Sequence, residues 1–273
     1  MLIAMPVWDT EENGRSELTA KTLEVLMESI RGTDRVVVSD NGSCKLTHYV
    51  YQTVMERYEN FSVIFNGENL GIAGGTNQAW RLADEGEVLC KMDNDCVINT
   101  PGWTSRVEFV LERMPSVGIL GMKRKDLPER PTSSEPFYRT RLLMVDQKPG
   151  EPWIVIEETN HVMGTCYCFN PSMLPEFGYL LQPDTVYGFD DAIAALRAHK
   201  LGYSSCFLHG VDIDHIDPNP LAEYTAWKSR QASQGMPNYN RYKLALQNGQ
   251  IPPYFDGGFN KHVETDIVEP TEA

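Results

Sequence analysis

Basic residues are scarce: 24 Lys and Arg stand against 38 Asp and Glu, a formal net charge of −14 over 273 residues. That balance argues against broad, sequence-independent nucleic-acid binding, which needs a basic face to neutralise phosphates, although a local basic patch stays open. The six cysteines, Cys44, Cys90, Cys96, Cys166, Cys168 and Cys206, have neither C-x-x-C spacing nor the density of a disulfide scaffold. Reduced, partly buried thiols are expected from them. Long apolar runs are also missing. Leu2 to Val7 lacks the basic flank and length of a signal peptide, and no stretch reaches the roughly 18 apolar residues of a membrane span. A cytoplasmic protein without a membrane span is therefore expected. No internal repeat and no low-complexity block is present.

What is present suits a globular chain, with 41% hydrophobic and 23% charged residues, enough to bury a sizeable core. The first 120 or so residues alternate short apolar runs with helical patterns, which predicts a mostly parallel twisted α/β sheet with helices on both faces. Strands are expected at Leu2 to Met5, Arg35 to Val38, Ser62 to Phe65, Val88 to Met92 and Val117 to Leu120. Helices are expected between them at Leu18 to Ile30, Leu46 to Tyr58, Ala73 to Ala83 and Ser105 to Met114. Residues 123–152 are Pro-rich and charged and read as a long loop. Strands at Trp153 to Ile156, His161 to Phe169 and Tyr203 to Leu208, and helices at Pro171 to Phe177 and Asp190 to Lys200, follow. The expected organisation is an α/β domain over 1–217, a helical extension over 218–250 and an acidic, mobile tail over 251–273.

Ligands of open parallel sheets bind beyond the carboxyl ends of the strands. Pro6, Trp8 and Asp9 follow the first predicted strand; Asp40, Asn41, Gly42 and Ser43 follow the second. The third leads to Asn69, Gly71, Gly74, Gly75 and Asn77, and the fourth to Asp93, Asn94 and Asp95. Asp-Asn-Gly-Ser is also a good turn and helix entry on its own. The glycines form neither G-x-G-x-x-G nor a P-loop. Two carboxylates as close as Asp93 and Asp95 repel unless a cation or solvent compensates them, and oxygen ligands suit Mg²⁺ or Mn²⁺; a solvated turn is the alternative.

Three runs, Val36 to Ser43, Asn69 to Asn77 and Met92 to Asp95, resemble family 2 glycosyltransferases of the GT-A fold. The rhamnosyltransferase-like members, with D-N-G-S, N-x-G-x-x-G-G-x-N and D-x-D, are particularly similar. Tyr187 to Asp191 is similar to the family's Y-G-x-E-D motif, with Asp190 in place of Glu, and Gly164 to Gly178 to its acceptor-side segment. The resemblance spans about residues 1 to 217. It implies a nucleoside pocket at Pro6, Trp8 and Asp40, with nucleotide and sugar near Asn69 and Gly71. It also implies ribose, diphosphate and metal at the D-x-D pair, and Asp191 as general base. A metal-ligating His on a later strand is implied at His215, with His209 as the competitor. Ile193 stands where many members carry an acid, and Cys44-Lys45 where Thr-Asp is common.

The chemistry this implies is inverting transfer of a sugar from a nucleoside-diphosphate sugar, UDP- or dTDP-linked by preference, to an acceptor hydroxyl. The leaving diphosphate needs a divalent ion held by Asp95, with Asp93 nearby. A His ligand tilts the choice toward Mn²⁺ over Mg²⁺. A carboxylate taking the acceptor proton contributes about 10²- to 10⁴-fold; helix capping is the other use for Asp190 or Asp191. Arg197 and Lys200 read as surface residues. The rival readings are a sugar nucleotidyltransferase, whose Gly-rich basic first loop is absent, and a silent sugar- or protein-binding module. The basic run Lys123, Arg124 and Lys125 opens a net-basic segment, which suggests an anionic or phosphate-bearing acceptor. Modified bases in nucleic acid stay among the candidates; charges that merely pair with the acidic body are the alternative.

Overall fold

The computed structural model describes residues 1–125, 139–145, 153–182, 186–216 and 222–258. Within the first 122 residues the expected alternation is found: β1 (Leu2–Val7), α1 (Ser16–Ser29), β2 (Arg35–Asp40), α2 (Lys45–Met55), β3 (Phe61–Phe65), α3 (Gly71–Trp80), β4 (Leu89–Met92), β5 (Cys96–Ile98), α4 (Trp103–Arg113) and β6 (Val117–Met122). Beyond it lie β7 (Arg139–Val145), β8 (Ile154–Thr159), β9 (Cys166–Phe169), α5 (Leu174–Phe177), α6 (Asp190–Lys200), β10 (Ser204–Leu208), β11 (Ile213–His215) and α7 (Ala222–Gln247).

The main sheet has nine strands in the order β3-β2-β1-β4-β9-β6-β10-β8-β7. All run the same way except β8 and β9, which pair antiparallel with both their neighbours. The physical signature of a sheet covered on both faces is β1. Ile3, Met5 and Val7 join Leu23 and Leu26 of α1 and Trp103 and Val107 of α4 in one core. Leu2 and Ala4 point the other way, toward Ala73, Ala79 and Trp80 of α3 and Ala194 and Ala198 of α6. Alternation of side chains across a strand buried on both faces makes a continuous apolar run, so a charge at Ala4 would strand itself in a helix–sheet core. Pro6 is tolerated inside β1 because the ladder to β4 ends at Ala4↔Lys91.

The structure differs from the sequence reading at several points, among them the short strands β5 and β11, which that reading did not include. Residues 139–145, expected within a loop, form β7 on the sheet edge against β8; the remainder of 126–152 lies outside the described residues. The strand expected from His161 begins only at Cys166, because Gly164 gives its N–H to Asp191 and its carbonyl to Lys91 instead of to a ladder. Arg197 is fully buried, not a surface residue; its guanidinium donates to the carbonyls of Phe177, Tyr179 and Pro253. Residues 251–258, assigned to a mobile tail, dock on the body through the Gly178↔Phe255 bridge and an Arg81 bond to the Gly257 carbonyl; residues 259–273 lie outside the described residues.

Candidate active site

The strand ends converge as the sheet topology requires. A cleft of about 220 Å³ opens at the carboxyl edge of β1, β2 and β4 and at the start of α3, and Pro6, Trp8, Asn69, Gly71, Asp93, Asn94 and Asp95 line it. Asp190, Asp191, His215 and Arg124 stand on the same cleft.

Asp95 is held by the hairpin-like pairing of β5 with β11, whose register sets His215 opposite Cys96, and by Ile216 N–H donating to the Asp95 carbonyl at 2.7 Å. This places His215 Nε2 3.4 Å from Asp95 Oδ2, which also accepts from Arg15 Nη2 at 2.5 Å. Burial alone would raise the Asp95 carboxyl, but the bond from His215 and the charges of Arg15, His215 and Lys228 outweigh it and hold the acid below its usual range. The other oxygen, Asp95 Oδ1, is buried with no hydrogen-bond partner. A buried carboxylate with one oxygen free of donors and the other 3.4 Å from an imidazole nitrogen fits a divalent ion that Asp95 and His215 would hold. Among the described residues no group of three His, Cys, Asp or Glu converges on one point. That matches ions that take one or two protein ligands and complete their shell with substrate phosphates and water. Oxygen plus imidazole suits Mn²⁺.

Asp93, by contrast, is engaged by Lys91 Nζ, and Lys91 also donates to the Gly164 carbonyl at 2.5 Å. Burial raises the Asp93 carboxyl against the pull of that lysine. Asn94 turns its amide inward, to Asp9 Oδ1 at 2.9 Å and Thr19 Oγ1 at 2.6 Å, which fixes the turn between β4 and β5.

The second acid pair opens α6. Gly188 and Phe189 both take positive φ, 95° and 67°, and Phe189 is the cap residue, so neither acid is the helix cap. A bulky residue at positive φ is strained and needs its surroundings to hold it. Here Phe189 stacks on Tyr239 of α7 at 4.8 Å. Asp190 is 3% exposed and accepts from Tyr167 Oη at 2.9 Å; burial, with the nearby Asp191 charge, pushes it to about 6 against the pull of Lys91. Asp191 accepts from Gly164 N–H at 2.8 Å and faces His161 Nε2 at 3.2 Å. Burial acts upward on Asp191 too, but His161 and Lys91 overcome it and bring it to about 2. The pair is thus split: one acid ionised throughout the neutral range, the other close to titrating.

Several expected residues stand behind the cleft instead of on it. Asp40 is 1% exposed, with Oδ2 taken by Tyr51 at 2.9 Å and Oδ1 by the N–H groups of Gly42 and Ser43. Asp9 is fully buried under Thr19, Thr47 and Asn94, and burial raises its carboxyl. Gly74 and Gly75 serve close approach: an added Cβ would lie 3.0 Å from Leu70 Cβ or 3.1 Å from Pro6 Cβ. Asn77 ties α3 to Leu180 by donating to its carbonyl and accepting its N–H. Of the basic run, Lys123 pairs with Glu157 at 3.1 Å and Lys125 with Asp212 and Asp214, while Arg124 lines the cleft and reaches Thr165 Oγ1 at 3.4 Å. His209 pairs with Glu157 at 2.8 Å and does not line the cleft.

Sequence reasoning missed Arg15, Lys91, His161, Trp227 and Lys228. Lys91 carried a signal, a lone cation inside the apolar run Leu89 to Met92. The others sit in loops or in α7, where no periodicity or motif marks them.

The sequence profile described as Glycosyl transferase family 2 matches residues 10–162. No curated protein sequence matches the chain. Among solved structures, a mannosyltransferase from Pyrobaculum calidifontis in complex with GDP-Man and Mn²⁺ superposes with a TM-score of 0.62 at 21% identity over 92% of this chain. This chain spans 65% of that protein's length. TarS residues 1–349 of S. aureus gives a TM-score of 0.55 at 15% identity, covering 90% of this chain and 70% of that one. GalNAc-T7 with UDP, GalNAc and Mn²⁺ gives 0.61 at 13% identity, covering 92% of this chain and 51% of that one. These likenesses establish the GT-A fold.

Proposed function

Because the chain belongs to glycosyl transferase family 2, we propose that it moves a sugar from a nucleoside-diphosphate sugar to an acceptor hydroxyl, with a divalent metal ion and inversion at the anomeric carbon. The observation that carries this reading is the facing of two unlike sites across one cleft: Asp95 with one oxygen orphaned and the other beside His215, and the split pair Asp190 and Asp191. Support for the donor class comes from the GDP-Man, UDP and UDP-GlcNAc complexes of the structural neighbours; UDP or dTDP remains the preferred carrier for this chain.

Asp95 and His215 would hold the ion, which would supply positive charge to the leaving diphosphate. Asn69, Gly71 and Pro6 shape the wall for the nucleoside. Asp191, fixed by the Gly164 N–H and by His161, takes the proton from the acceptor hydroxyl as that oxygen attacks the anomeric carbon from the face opposite the diphosphate. Its low proton affinity makes it a weak base at rest, so its use lies in position and in being ionised at every working pH. Arg124 is the member of the basic run that lines the cleft, where an anionic acceptor would meet it.

The test is thermal melting with UDP-, dTDP- and GDP-sugars, each with and without Mn²⁺. One donor should stabilise the chain only when Mn²⁺ is present, by about 2.7 kcal/mol at 100 times its dissociation constant, and Asp95→Asn should lose the effect. A donor that binds equally well in EDTA overturns the metal requirement.

A further inference from the structure

We propose that the first half of α7 is a built part of the donor site, with Trp227 closing the cleft against Trp8 and Lys228 carrying part of the charge of the leaving diphosphate. The inference rests on the glycosyl-transfer reading and adds residues outside the segment 10–162 that marks the family.

Pro237 divides α7. After it, Tyr239 stacks on Phe189, and Tyr242 and Leu246 are buried against Leu181 and Ile193. That half is anchored to α6. Pro237 has no N–H to give to the preceding turn, so the helix is weakened at that point. Of the half before it, Trp227 and Lys228 line the cleft. Trp227 lies 5.2 Å from the Trp8 ring and 5.8 Å from the Tyr187 ring. Trp8 follows β1, and Tyr187 precedes the acid pair of α6, so one indole bridges the donor wall and the catalytic wall. Such ring contacts are worth about 0.5–1.5 kcal/mol beyond the area they cover. That is enough to seat a helix end and weak enough to be opened by a ligand.

Lys228 is set by its neighbour. Its ammonium stands 5.6 Å over the Tyr187 ring and lines the cleft with Asp95. The diphosphate bound to an ion on Asp95 would therefore meet Lys228 from the side of α7. In transfer, the bond from the anomeric carbon to the diphosphate oxygen breaks and its electron pair stays on that oxygen. A fixed ammonium there stabilises the charge that develops. The cleft of about 220 Å³ is smaller than the roughly 300–1,000 Å³ usual for small-molecule sites. Entry of a donor therefore separates Trp8 from Trp227, and return of α7 over it keeps water from the anomeric carbon.

The experiment is calorimetric titration of wild type, Lys228→Gln, Lys228→Arg and Trp227→Ala with whichever of UDP, dTDP or GDP the wild type binds in MnCl₂, and with the matching monophosphate. Lys228→Gln should bind the diphosphate about 10-fold more weakly and lose less for the monophosphate. It should bind Mn²⁺ alone no more weakly than wild type, and Lys228→Arg should recover most of the loss. Trp227→Ala should weaken both nucleotides. Unchanged diphosphate affinity in Lys228→Gln, or equal losses for diphosphate and monophosphate, overturns the role given to Lys228. Trp227→Ala with wild-type affinity overturns the cover. A wild type that binds none of the three diphosphates with Mn²⁺ overturns the proposed function first, and this inference with it.

Discussion

At the scale of single residues, two carboxylates adjacent in sequence line one cleft with opposite shifts in proton affinity. Asp191→Asn removes the proton acceptor and should lower the transfer rate at least about 100-fold while leaving nucleotide affinity within about two-fold, since Asp191 touches His161 and Gly164 and not the Asp95 site. Asp190→Asn keeps a partner for the Tyr167 hydroxyl and should cost less activity. The two also differ in stability. Asp190 holds its proton up to about 6 in the folded chain, so between its unfolded value near 3.8 and about 6 the native state binds more protons than the unfolded one. Stability therefore falls as pH rises through that window and stays reduced above it. Asn at 190 carries no such penalty. Asp190→Asn should melt above wild type at pH 7, by on the order of 1–3 kcal/mol, and the gain should vanish below about pH 4. Melting curves at pH 4 and pH 7 check this; a gain that is the same at both would mean that ionisation of Asp190 is not its source.

At the scale of elements, the position of His215 is set by strand register. β11 is three residues long, too short for its periodicity to be read, and its pairing with β5 sets His215 beside the residue that follows Asp95. His209 ends up with Glu157 and Val155. His215→Ala should weaken Mn²⁺-dependent nucleotide binding by about 10- to 100-fold, whereas His209→Ala should leave it unchanged; Mn²⁺ titration in the presence of UDP reads both. Equal effects would break the assignment to β11. The same elements show what the sequence made legible. Strands buried on both faces, such as β1 and β2, announce themselves as unbroken apolar runs, and their polar ends give Trp8, Asn69 and the Asp93 to Asp95 turn directly. Motif position did not reveal which polar side chains face inward. Asp9 and Asp40 occupy strand-end positions like those of Trp8 and Asn94, yet partners from α1 and α2, Thr19 and Tyr51, draw them into the body. Short pieces set by tertiary contacts, β5, β7 and β11, left no periodic trace, and neither did the long-range approach of Arg15 or Lys228 to Asp95.

At the scale of the whole molecule, the segment after α7 is bound to the body by a cation that has no carboxylate partner among its hydrogen bonds. Arg197 is 0% exposed and gives Nε to the Pro253 carbonyl at 2.6 Å, Nη1 to the Tyr179 carbonyl at 2.7 Å and Nη2 to the Phe177 carbonyl, with its guanidinium over the Phe177 ring. Burial pulls its proton affinity down to about 10, so it is still charged at neutral pH. Three carbonyls from two separate parts of the chain thus converge on a side chain that α6 carries seven residues past the start of the helix and its acid pair. Arg197→Met keeps most of the volume and leaves the Tyr179 and Pro253 carbonyls without that donor, while the Phe177 carbonyl keeps the Phe255 N–H. Each carbonyl left without a donor costs about 1–3 kcal/mol if it stays buried, and release of residues 251–258 to water would return part of that. A net loss on the order of 3 kcal/mol is expected, which at roughly 2–4 °C per kcal/mol for a chain of this size lowers the melting temperature by about 6–12 °C. Peptide bonds near Pro253 should become open to limited proteolysis in the variant and stay protected in wild type. Nucleotide affinity should change far less than stability, because Arg197 does not line the cleft. A variant that melts with wild type and resists cleavage there would show that the C-terminal segment is held by the backbone hydrogen bonds of Phe255 to Phe177 and Tyr179 and not by the arginine.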